Sequence, residues 1–318
     1  GREGKVEDRV VGKRRGRKAD VGGADRAGSW LWNRGDWRMT IETLKTDDGE
    51  VTIWFDGPAW QAHTQVATVG KCIFNSAEAG ARLLADAAAR AKSKGATAMV
   101  GPMEGDTWHA YRLISDRGEQ PSFLMEPSSA DHDKAAFQAA GFEVISSYFS
   151  ASAPLSELPG PKPKDTDVFT IETWDGTDPD RLFTQVYELS CAAFAGNPFY
   201  KHIALPDFLA MYLPVVPLLK QDLILFARDS TGALVGFLFG IPNYAEGPAP
   251  KSVILKTYAS SQKGAGHWLS YQFYVNAKAL GFETAIHALM HDDNLSAVRS
   301  GLNGADVFRR YALMGRAL

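Results

Sequence analysis

The first half of the chain alternates strand-like runs with segments of helical spacing. Short runs of alternating or continuous apolar residues predict strands over 50–55, 65–74, 97–103, 122–125 and 143–151. Apolar residues recur every three or four positions over 77–94 and 133–140, which predicts helices. Gly95 and Gly141 follow these segments where a helix C-terminal cap belongs.

The second half has a different order of elements. Strands are predicted over 168–174, 223–228, 233–241, 253–257, 284–291 and 307–314, and helices over 179–194, 206–220 and 294–302. A further helix follows Gly264 and Gly266 and ends at Gly281, and the residues at 229–232 are typical of a hairpin turn. Two helices, a hairpin and a strand–helix–strand unit together predict an α/β protein with a mixed sheet, an α+β arrangement.

A proline-rich stretch is the best candidate for a domain boundary. Residues 153–166 contain four prolines and little that could pack, which predicts a linker between a domain at 39–152 and a domain at 167–318. Residues 1–38 are rich in Gly, Arg, Lys and Asp and lack periodicity, so we expect a disordered basic extension. Its basic cluster at 13–18 fits either a solvated extension or a nucleic-acid arm.

Composition narrows the range of functions. The chain has 318 residues, of which 45% are hydrophobic and 22% charged, with a formal net charge of −3. This balance gives no general case for nucleic acid or a membrane as partner. The two cysteines, Cys72 and Cys191, lie in apolar sequence and are expected to be buried thiols. With no membrane span or signal peptide recognisable in the sequence, a cytoplasmic location is the default expectation.

The two halves contain similar short runs in the same order. The helix ending at Gly95 and the helix ending at Gly281 are each followed by a strand and then by a run beginning at Met103 or Met290. We interpret this order as an internal duplication.

The stretch 251–269 carries the strongest chemical signal. A β-branched apolar run leads through a turn with Gly264 and Gly266 into a helix, and such a turn presents unpaired N–H groups and a positive helix dipole to an anion. In the duplicated half, Glu78 stands where Gly264 stands, and a carboxylate repels a phosphate. We therefore expect one phosphate-bearing ligand, held by the second half.

The strand, the xxGxG turn, the helix, the next strand and Asn294 resemble the GNAT (GCN5-related N-acetyltransferase) superfamily. The runs 286–300 and 309–314, with 105–112 in the first half, resemble a tandem-GNAT group of bacterial N-acetyltransferases. The resemblance implies two tandem GNAT-like domains, of which the N-terminal one is degenerate and the C-terminal one binds acetyl-CoA as co-substrate. Gly264 and Gly266 match the motif, whereas Ser261 holds the usual Arg/Gln position and Gln262 lies one place later.

The resemblance also implies roles for individual residues. The groups that would bind CoA are Thr257, Tyr258 and Ala259 for the pantetheine arm, Gly264, Ala265, Gly266 and His267 for the pyrophosphate, Gln262 beside the turn, and Asn294 near the sulfur. The tyrosine that often follows the Asn by about seven residues, and protonates the leaving thiolate, is replaced here by Gly301.

Candidates for proton transfer come from the strands beside the expected cofactor. His287 and His291 are expected on one face of their strand, about 13 Å apart, which argues against a metal site. His291 at the strand end is a candidate base because an imidazole titrates near neutral pH. Tyr258 and Tyr311 are further candidates, although packing roles account equally for buried tyrosines and for His287. The cluster at 106–112 fits either a polar network or a substrate-facing surface.

These observations predict an acetyl-CoA-dependent N-acetyltransferase whose acceptor is a primary amine of a small molecule or peptide. The acceptor would lie between residues 197–200, the helix at 207–219 and the cofactor cleft. An enzyme with a longer acyl donor and a non-catalytic acyl-CoA-binding sensor are the alternatives. Neither the acceptor nor the oligomeric state follows from the sequence.

Overall fold

The computed structural model describes residues 41–164, 168–294 and 305–318, within a compact unit that spans 39–318. The strands are β1 (Ile41–Thr46), β2 (Gly49–Trp54), β3 (Val66–Phe74), β4 (Ala98–Gly101), β5 (Leu113–Asp116), β6 (Glu143–Pro154), β7 (Phe169–Thr173), β8 (Ile224–Asp229), β9 (Leu234–Pro242), β10 (Ser252–Ser260), β11 (Thr284–His291) and β12 (Asp306–Ala317). The helices are α1 (Ala77–Ser93), α2 (Asp133–Ala139), α3 (Pro179–Phe194), α4 (Leu205–Tyr212) and α5 (Ala265–Ala279). The predicted extension 1–38 and most of the predicted helix 294–302 lie outside the described residues.

All strands belong to one mixed sheet. Its order is β1-β2-β3-β4-β12-β6-β11-β10-β9-β8-β7, with β5 paired to β12. Each half contains a parallel strand–helix–strand unit, β3-α1-β4 in the first and β10-α5-β11 in the second. This arrangement confirms the predicted α/β fold with a mixed sheet.

The last strands of the two halves are exchanged. Strand β6, which ends the first half, pairs with β11, while β12, which ends the second half, pairs with β4 and with β6. The predicted linker 153–166 begins inside β6, and Leu155 and Leu158 that follow are 1% and 2% exposed. The division into domains 39–152 and 167–318 stays a prediction, but a single hydrogen-bonded sheet spans that boundary.

The helices cover the sheet on both faces. Ala153 of β6 packs in the cluster beneath α5, and Ala312 of β12 packs in the cluster with α1 and α2. Ala312 is paired with Ser147, so these two side chains lie on one face of the sheet. Ser147 and Ala153 are six residues apart along a regular stretch of β6, so Ala153 lies on that face too. Helices α1 and α5 therefore cover the same face. Helices α3 and α4 pack on the opposite face, over Phe226 and Phe239.

Local sequence explains most helix boundaries. Ser76 caps α1 by accepting a hydrogen bond from the Ala79 N–H at 3.2 Å, and Asp178 caps α3 by accepting one from Arg181 at 3.1 Å. The helix predicted over 206–220 is wrong beyond Tyr212, because Pro214 and Pro217 force a 3₁₀ segment, Leu213–Leu218.

Two strand predictions of the first half need correction. Residues 122–125 do not form a strand, since Leu124 lies in a turn and Met125 has φ of 64°. The short strand β5 was missed, because its four residues, Leu113–Asp116, carry too little pattern to stand out.

Candidate active site

The parallel strands β10 and β11 run side by side and then separate. They are paired from Ser252 opposite Thr284 to Leu255 opposite His287, and no pairing between them follows. Beyond that point β10 stays with β9 up to Ser260, and β11 stays with β6 up to His291. The two strands therefore open a gap whose edges carry backbone groups that no neighbouring strand uses.

Bulges in both strands mark the point of separation. The register of β10 with β9 shifts between Leu255 and Thr257, which leaves Lys256 as the extra residue. The register of β11 with β6 shifts between His287 and Met290, and Leu289 there has φ of 59°.

Side chains hold the β11 bulge in place. The Leu289 N–H donates to Ser150 Oγ at 3.0 Å, and the Leu289 carbonyl accepts from Arg112 Nη1 at 2.9 Å. Strand β6 and the first half thus satisfy both backbone groups of Leu289 in the bulge.

The first half has no such gap. Its parallel strands β3 and β4 are paired up to Thr68 opposite Val100, and the Met103 N–H then donates to the Val69 carbonyl at 2.8 Å. A Cβ built on Gly70 would lie 2.8 Å from the Met103 carbonyl oxygen, so the end of β3 and the segment after β4 stay in contact.

The glycine turn follows β10 and begins α5. Gly264 is the N-cap residue of α5 with φ of 96°, a conformation in which any side chain is strained. Its carbonyl accepts the N–H groups of His267 at 3.1 Å and Trp268 at 3.2 Å, and the Ala265 N–H donates to the Gln262 carbonyl. Within the described part of the chain, the Gly266 N–H has no backbone acceptor, so it is available to an anion.

The equivalent turn of the first half is closed to an anion by its own carboxylate. Glu78 lies in the first turn of α1, where hydrogen bonds from its own backbone and from Ser76 lower the pKa of its carboxyl. The ionised group occupies the positive end of the helix. The prediction that Glu78 stands in the place of Gly264 is wrong by two residues: the N-cap residues are Ser76 and Gly264, so Glu78 corresponds to Gly266, the second residue of α5.

A cavity of about 500 Å³ opens beside the glycine turn. It lies between residues 157–164 and the N-terminal half of α5, and Lys162, Lys164 and Lys263 are among its lining residues. These cations favour a negatively charged occupant.

The other predicted CoA-binding residues surround this turn. Tyr258 is 48% exposed, and its ring lies beside Gly266, since a Cβ built there would be 3.4 Å from Tyr258 Cε2. Thr257 is half-buried, and Ala259 packs in the cluster of α3 and α4. Gln262 Nε2 donates to Asp229 Oδ2 at 2.8 Å, which ties the turn to the β8–β9 hairpin.

The position of Asn294 is described only for its backbone. It is the last residue of a 3₁₀ turn, Asp292–Asn294, that directly follows β11. Gly301, the position of the missing tyrosine, lies outside the described residues.

His287 and His291 lie on opposite faces of the sheet, so their predicted placement on one face is wrong. His287 is opposite Ala151 and His291 opposite Tyr148, three residues apart on β6, because the bulge adds one residue to β11. His287 is buried, its Nε2 lies 3.0 Å from the Tyr274 hydroxyl of α5, and burial lowers the pKa of its imidazole to about 4.

His291 lies on the face of α3 and α4, partly open to solvent. Its Nε2 is 3.1 Å from Ser146 Oγ, and its Nδ1 accepts the Asp293 N–H at 3.2 Å. The ring meets Tyr148 edge-on with centroids 5.2 Å apart. The Asp293 carboxylate also lies beside the ring, with its Oδ2 3.3 Å from Nδ1.

Tyr311 lies inside the sheet core. Its side chain has 0% exposure, its hydroxyl donates to Glu126, and Ser150 Oγ is 3.0 Å away. Burial and the neighbouring Glu126 raise the pKa of the phenol. Ser150 Oγ also accepts the Leu289 N–H, so the Tyr311 hydroxyl is linked through Ser150 to the β11 bulge.

The cluster at 106–112 packs against the second half. Trp108 Nε1 donates to the Lys201 carbonyl at 2.7 Å, and its ring contacts Phe208 with centroids 5.7 Å apart. Lys201 Nζ in turn lies 2.6 Å from Asp56 Oδ2 of the first half. The first half therefore forms one wall of the region beneath α3 and α4.

Sequence reasoning did not single out Lys256 and did not separate Arg112 from its cluster. Arg112 is 6% exposed and its guanidinium lies between the rings of Tyr111 and Tyr148, 3.8 and 4.1 Å from their centroids. Burial, with Arg112 nearby, lowers the pKa of Lys256 to about 8. A lysine within an apolar strand, Val253–Ala259, is the sequence signal that was available.

The described residues contain neither a metal-binding cluster nor a helix suited to cross a membrane. Within residues 41–164, 168–294 and 305–318, no group of three or more His, Cys, Asp or Glu side chains is arranged to hold a metal ion. Among the same residues, none of the helices has the length and apolar character that a membrane crossing requires.

Comparison with known proteins places this geometry in a family of folds. No protein-family model matches the sequence, and no curated protein matches it. A GCN5-related N-acetyltransferase from Sphaerobacter thermophilus superposes with a TM-score of 0.51 at 14% identity, covering 85% of this chain and 76% of the other.

Two further solved structures match more weakly. A tandem GNAT protein from the clavulanic acid biosynthesis pathway has a TM-score of 0.49 at 15% identity, covering 85% of this chain and 79% of its own. A GCN5-related N-acetyltransferase from Anabaena variabilis has a TM-score of 0.48 at 10% identity, covering 85% and 60%. The superposition on the Sphaerobacter structure, with the separated parallel strands and the glycine turn, shows that the chain has the fold of the GCN5-related N-acetyltransferases.

Proposed function

We propose that this protein transfers an acyl group from acyl-CoA, with acetyl-CoA as the preferred donor, to a primary amine of a small molecule or peptide. The observation that carries the proposal is the gap between β10 and β11, which opens after Leu255 and His287 directly beside the Gly264 turn. The first half lacks both features, so one donor is bound per chain.

The donor is held by backbone groups. The turn from Gly264 to His267 holds the pyrophosphate, with the Gly266 N–H donating to it, and the helix dipole and the lysines of the adjoining cavity add positive charge. The pantetheine amides pair with the edge of Thr257–Ala259 that faces away from β9. Asn294, at the end of β11, follows the other edge of the gap.

The reaction is a direct transfer. The amine nitrogen attacks the thioester carbon, the C–S bond breaks, the amine loses a proton and the CoA thiolate gains one. His291 is the candidate base, because it lies at the end of β11 on the face of α3 and α4, partly open to solvent and beside the Asp293 carboxylate. Tyr258 is the candidate acid, because it is exposed and borders the glycine turn. Tyr311 takes a positioning role through Ser150, since its hydroxyl is bound to Glu126 in the core.

A thiol-release assay tests this function. Purified protein is incubated with acetyl-CoA and a panel of primary amines, and CoA binding is measured separately by calorimetry. We expect tight CoA binding and amine-dependent thiol release. The same assay with longer acyl-CoA donors establishes the acyl chain that the gap accepts.

A non-catalytic acyl-CoA sensor is the second candidate. It is favoured by Gly301, which stands where a proton-donating tyrosine is usual, and by Gln262, whose amide is bound to Asp229. Tight binding of CoA without thiol release on any amine would support the sensor and overturn the enzyme.

A further inference from the structure

Two cationic side chains lie beside the gap, one on β10 and the other reaching the β11 bulge from the first half. Lys256 follows Leu255, the last β10 residue paired with β11, and Arg112 binds the carbonyl of Leu289 in the β11 bulge at 2.9 Å. One cation therefore stands on each side of the gap, at the level where the strands part.

Both cations lie on the face of the sheet that carries α3 and α4. Lys256 is the extra residue of the β10 bulge, so strict alternation does not place it, but the next residue, Thr257, is opposite Phe239 of that face, and Arg112 is near enough to lower the pKa of the Lys256 ammonium. Arg112 reaches the same face, since it stacks on Tyr148, which lies beside His291 there. This is the face on which the first half forms a wall, away from the α5 turn expected to hold the phosphates of CoA.

Neither cation has an acidic partner among the described residues. The Nε of Arg112 is buried without any hydrogen-bond partner, although the side chain is only 6% exposed. Lys256 is half-buried and takes part in no hydrogen bond or ion pair with the described part of the chain. Two buried like charges without compensation are unfavourable, and an anionic ligand between them would relieve both. Burial, together with the charge of Arg112, lowers the pKa of Lys256 for the same reason.

We infer that Arg112 and Lys256 bind a carboxylate of the acyl acceptor, so the acceptor is an amine that also carries a carboxylate, such as an amino acid or a peptide with a free C-terminus. This inference rests on the proposed function and narrows its substrate class. The unpartnered Nε edge of a guanidinium matches a carboxylate, and the ammonium supplies a second charged donor. The rings of Tyr111 and Tyr148 fix the guanidinium, so little conformational entropy is lost when the carboxylate binds.

Matched acid and amide acceptors test the inference. Thiol release from acetyl-CoA is measured with γ-aminobutyrate, L-phenylalanine and L-lysine, and with the carboxamide of each. The carboxylate form of the preferred skeleton should have a kcat/KM about 10- to 100-fold higher than its amide, the range expected for a hydrogen bond to a charged group. Equal rates for acid and amide, or a preference for amines that carry a phosphate, would overturn the inference.

Variants separate recognition from folding. In Lys256→Met and Arg112→Lys the ratio of acid to amide kcat/KM should fall towards one, with most of the loss in KM. Arg112→Lys keeps a cation beside the Leu289 carbonyl, so a folded variant is obtained even if Arg112→Gln does not fold. Lys220→Met removes a lysine of the same chain from outside the gap and should keep the ratio. A ratio that persists in Lys256→Met and Arg112→Lys would overturn the assignment of these residues.

A second readout does not depend on activity. Sodium propionate should raise the melting temperature of the wild-type protein above that in sodium chloride of equal ionic strength, because a ligand of the folded state stabilises it. The rise should be lost in Lys256→Met. If no amine supports thiol release but propionate still stabilises only the wild type, the proposed function fails while the carboxylate site stands. If amines are acetylated and propionate has no such effect, the carboxylate site fails and the function stands.

Discussion

Arg309 Nη1 lies 2.7 Å from Glu126 Oε2, with both side chains almost fully excluded from solvent. Arg309 belongs to β12, the exchanged strand, and Glu126 to the loop before α2, so the pair joins the end of the chain to the first half. The same carboxylate accepts the Tyr311 hydroxyl, and Arg309 also donates to the Gln120 and Arg117 carbonyls. A buried network of ion-pair and hydrogen-bond contacts thus stabilises the exchanged strand.

Removal of one partner should be costly. Glu126→Gln leaves the Arg309 charge buried without compensation, and we expect the free energy of unfolding to fall by about 3 to 5 kcal/mol. Glu283→Gln is the matched control, because its pair with Lys251 is exposed, with side chains 63% and 69% accessible, and its loss should leave the free energy of unfolding nearly unchanged. Urea unfolding measures both. Similar losses in the two variants would contradict the structural role of the buried pair.

Gly264 should be essential for CoA binding. Gly264→Glu places the carboxylate of the first half at the N-terminus of α5, where it repels the pyrophosphate, and we expect calorimetry to show no CoA binding. Gly281→Glu is the matched control, since Gly281 lies just beyond the other end of α5 with φ of 86° and open space around its Cβ position. Both variants carry the same backbone strain. Retained CoA affinity in Gly264→Glu would refute the site.

His287 should make the protein acid-sensitive. Burial lowers the pKa of its imidazole from 6.5 to about 4, so between these pH values only the unfolded chain takes up the proton. Stability should be unaffected above pH 6.5 and should fall by about 3 kcal/mol as the pH drops to 4. His287→Gln keeps a neutral hydrogen-bonding group near Tyr274 and should flatten this part of the stability profile. His202→Gln, at an exposed site, should leave the profile unchanged.

Trp108 should couple the first half to the loop before α4. Trp108→Ala removes the hydrogen bond to the Lys201 carbonyl and the contact with Phe208, and we expect a loss of roughly 2 to 4 kcal/mol. Hydrogen exchange of residues 197–203 should become faster at the same time. Trp174→Ala is the control, because its indole N–H binds the Thr177 carbonyl three residues away and does not join the halves. Unchanged exchange in Trp108→Ala would show that the loop is ordered by other contacts.

Local sequence was sufficient for most of the elements and for the glycine turn. Helical spacing located α1 and α3 because their apolar residues repeat with the helix period. Gly264 marked the start of α5 because its backbone, with φ of 96°, favours glycine. The sequence also indicated that the turn of the first half carries a carboxylate, Glu78, although the structure aligns this residue with Gly266 rather than with Gly264.

Tertiary structure alone decided the strand exchange, the faces of the two histidines and the pairing of Arg112 with Lys256. Register and bulges depend on contacts between residues far apart in sequence, and one extra residue in β11 was enough to turn His291 to the opposite face from His287. Arg112 lies near Lys256 because β6 and β12 are exchanged between the halves, which places the first half beside the gap of the second. No local pattern encodes such a meeting, since its free energy comes from burial that exists only once the sheet is assembled.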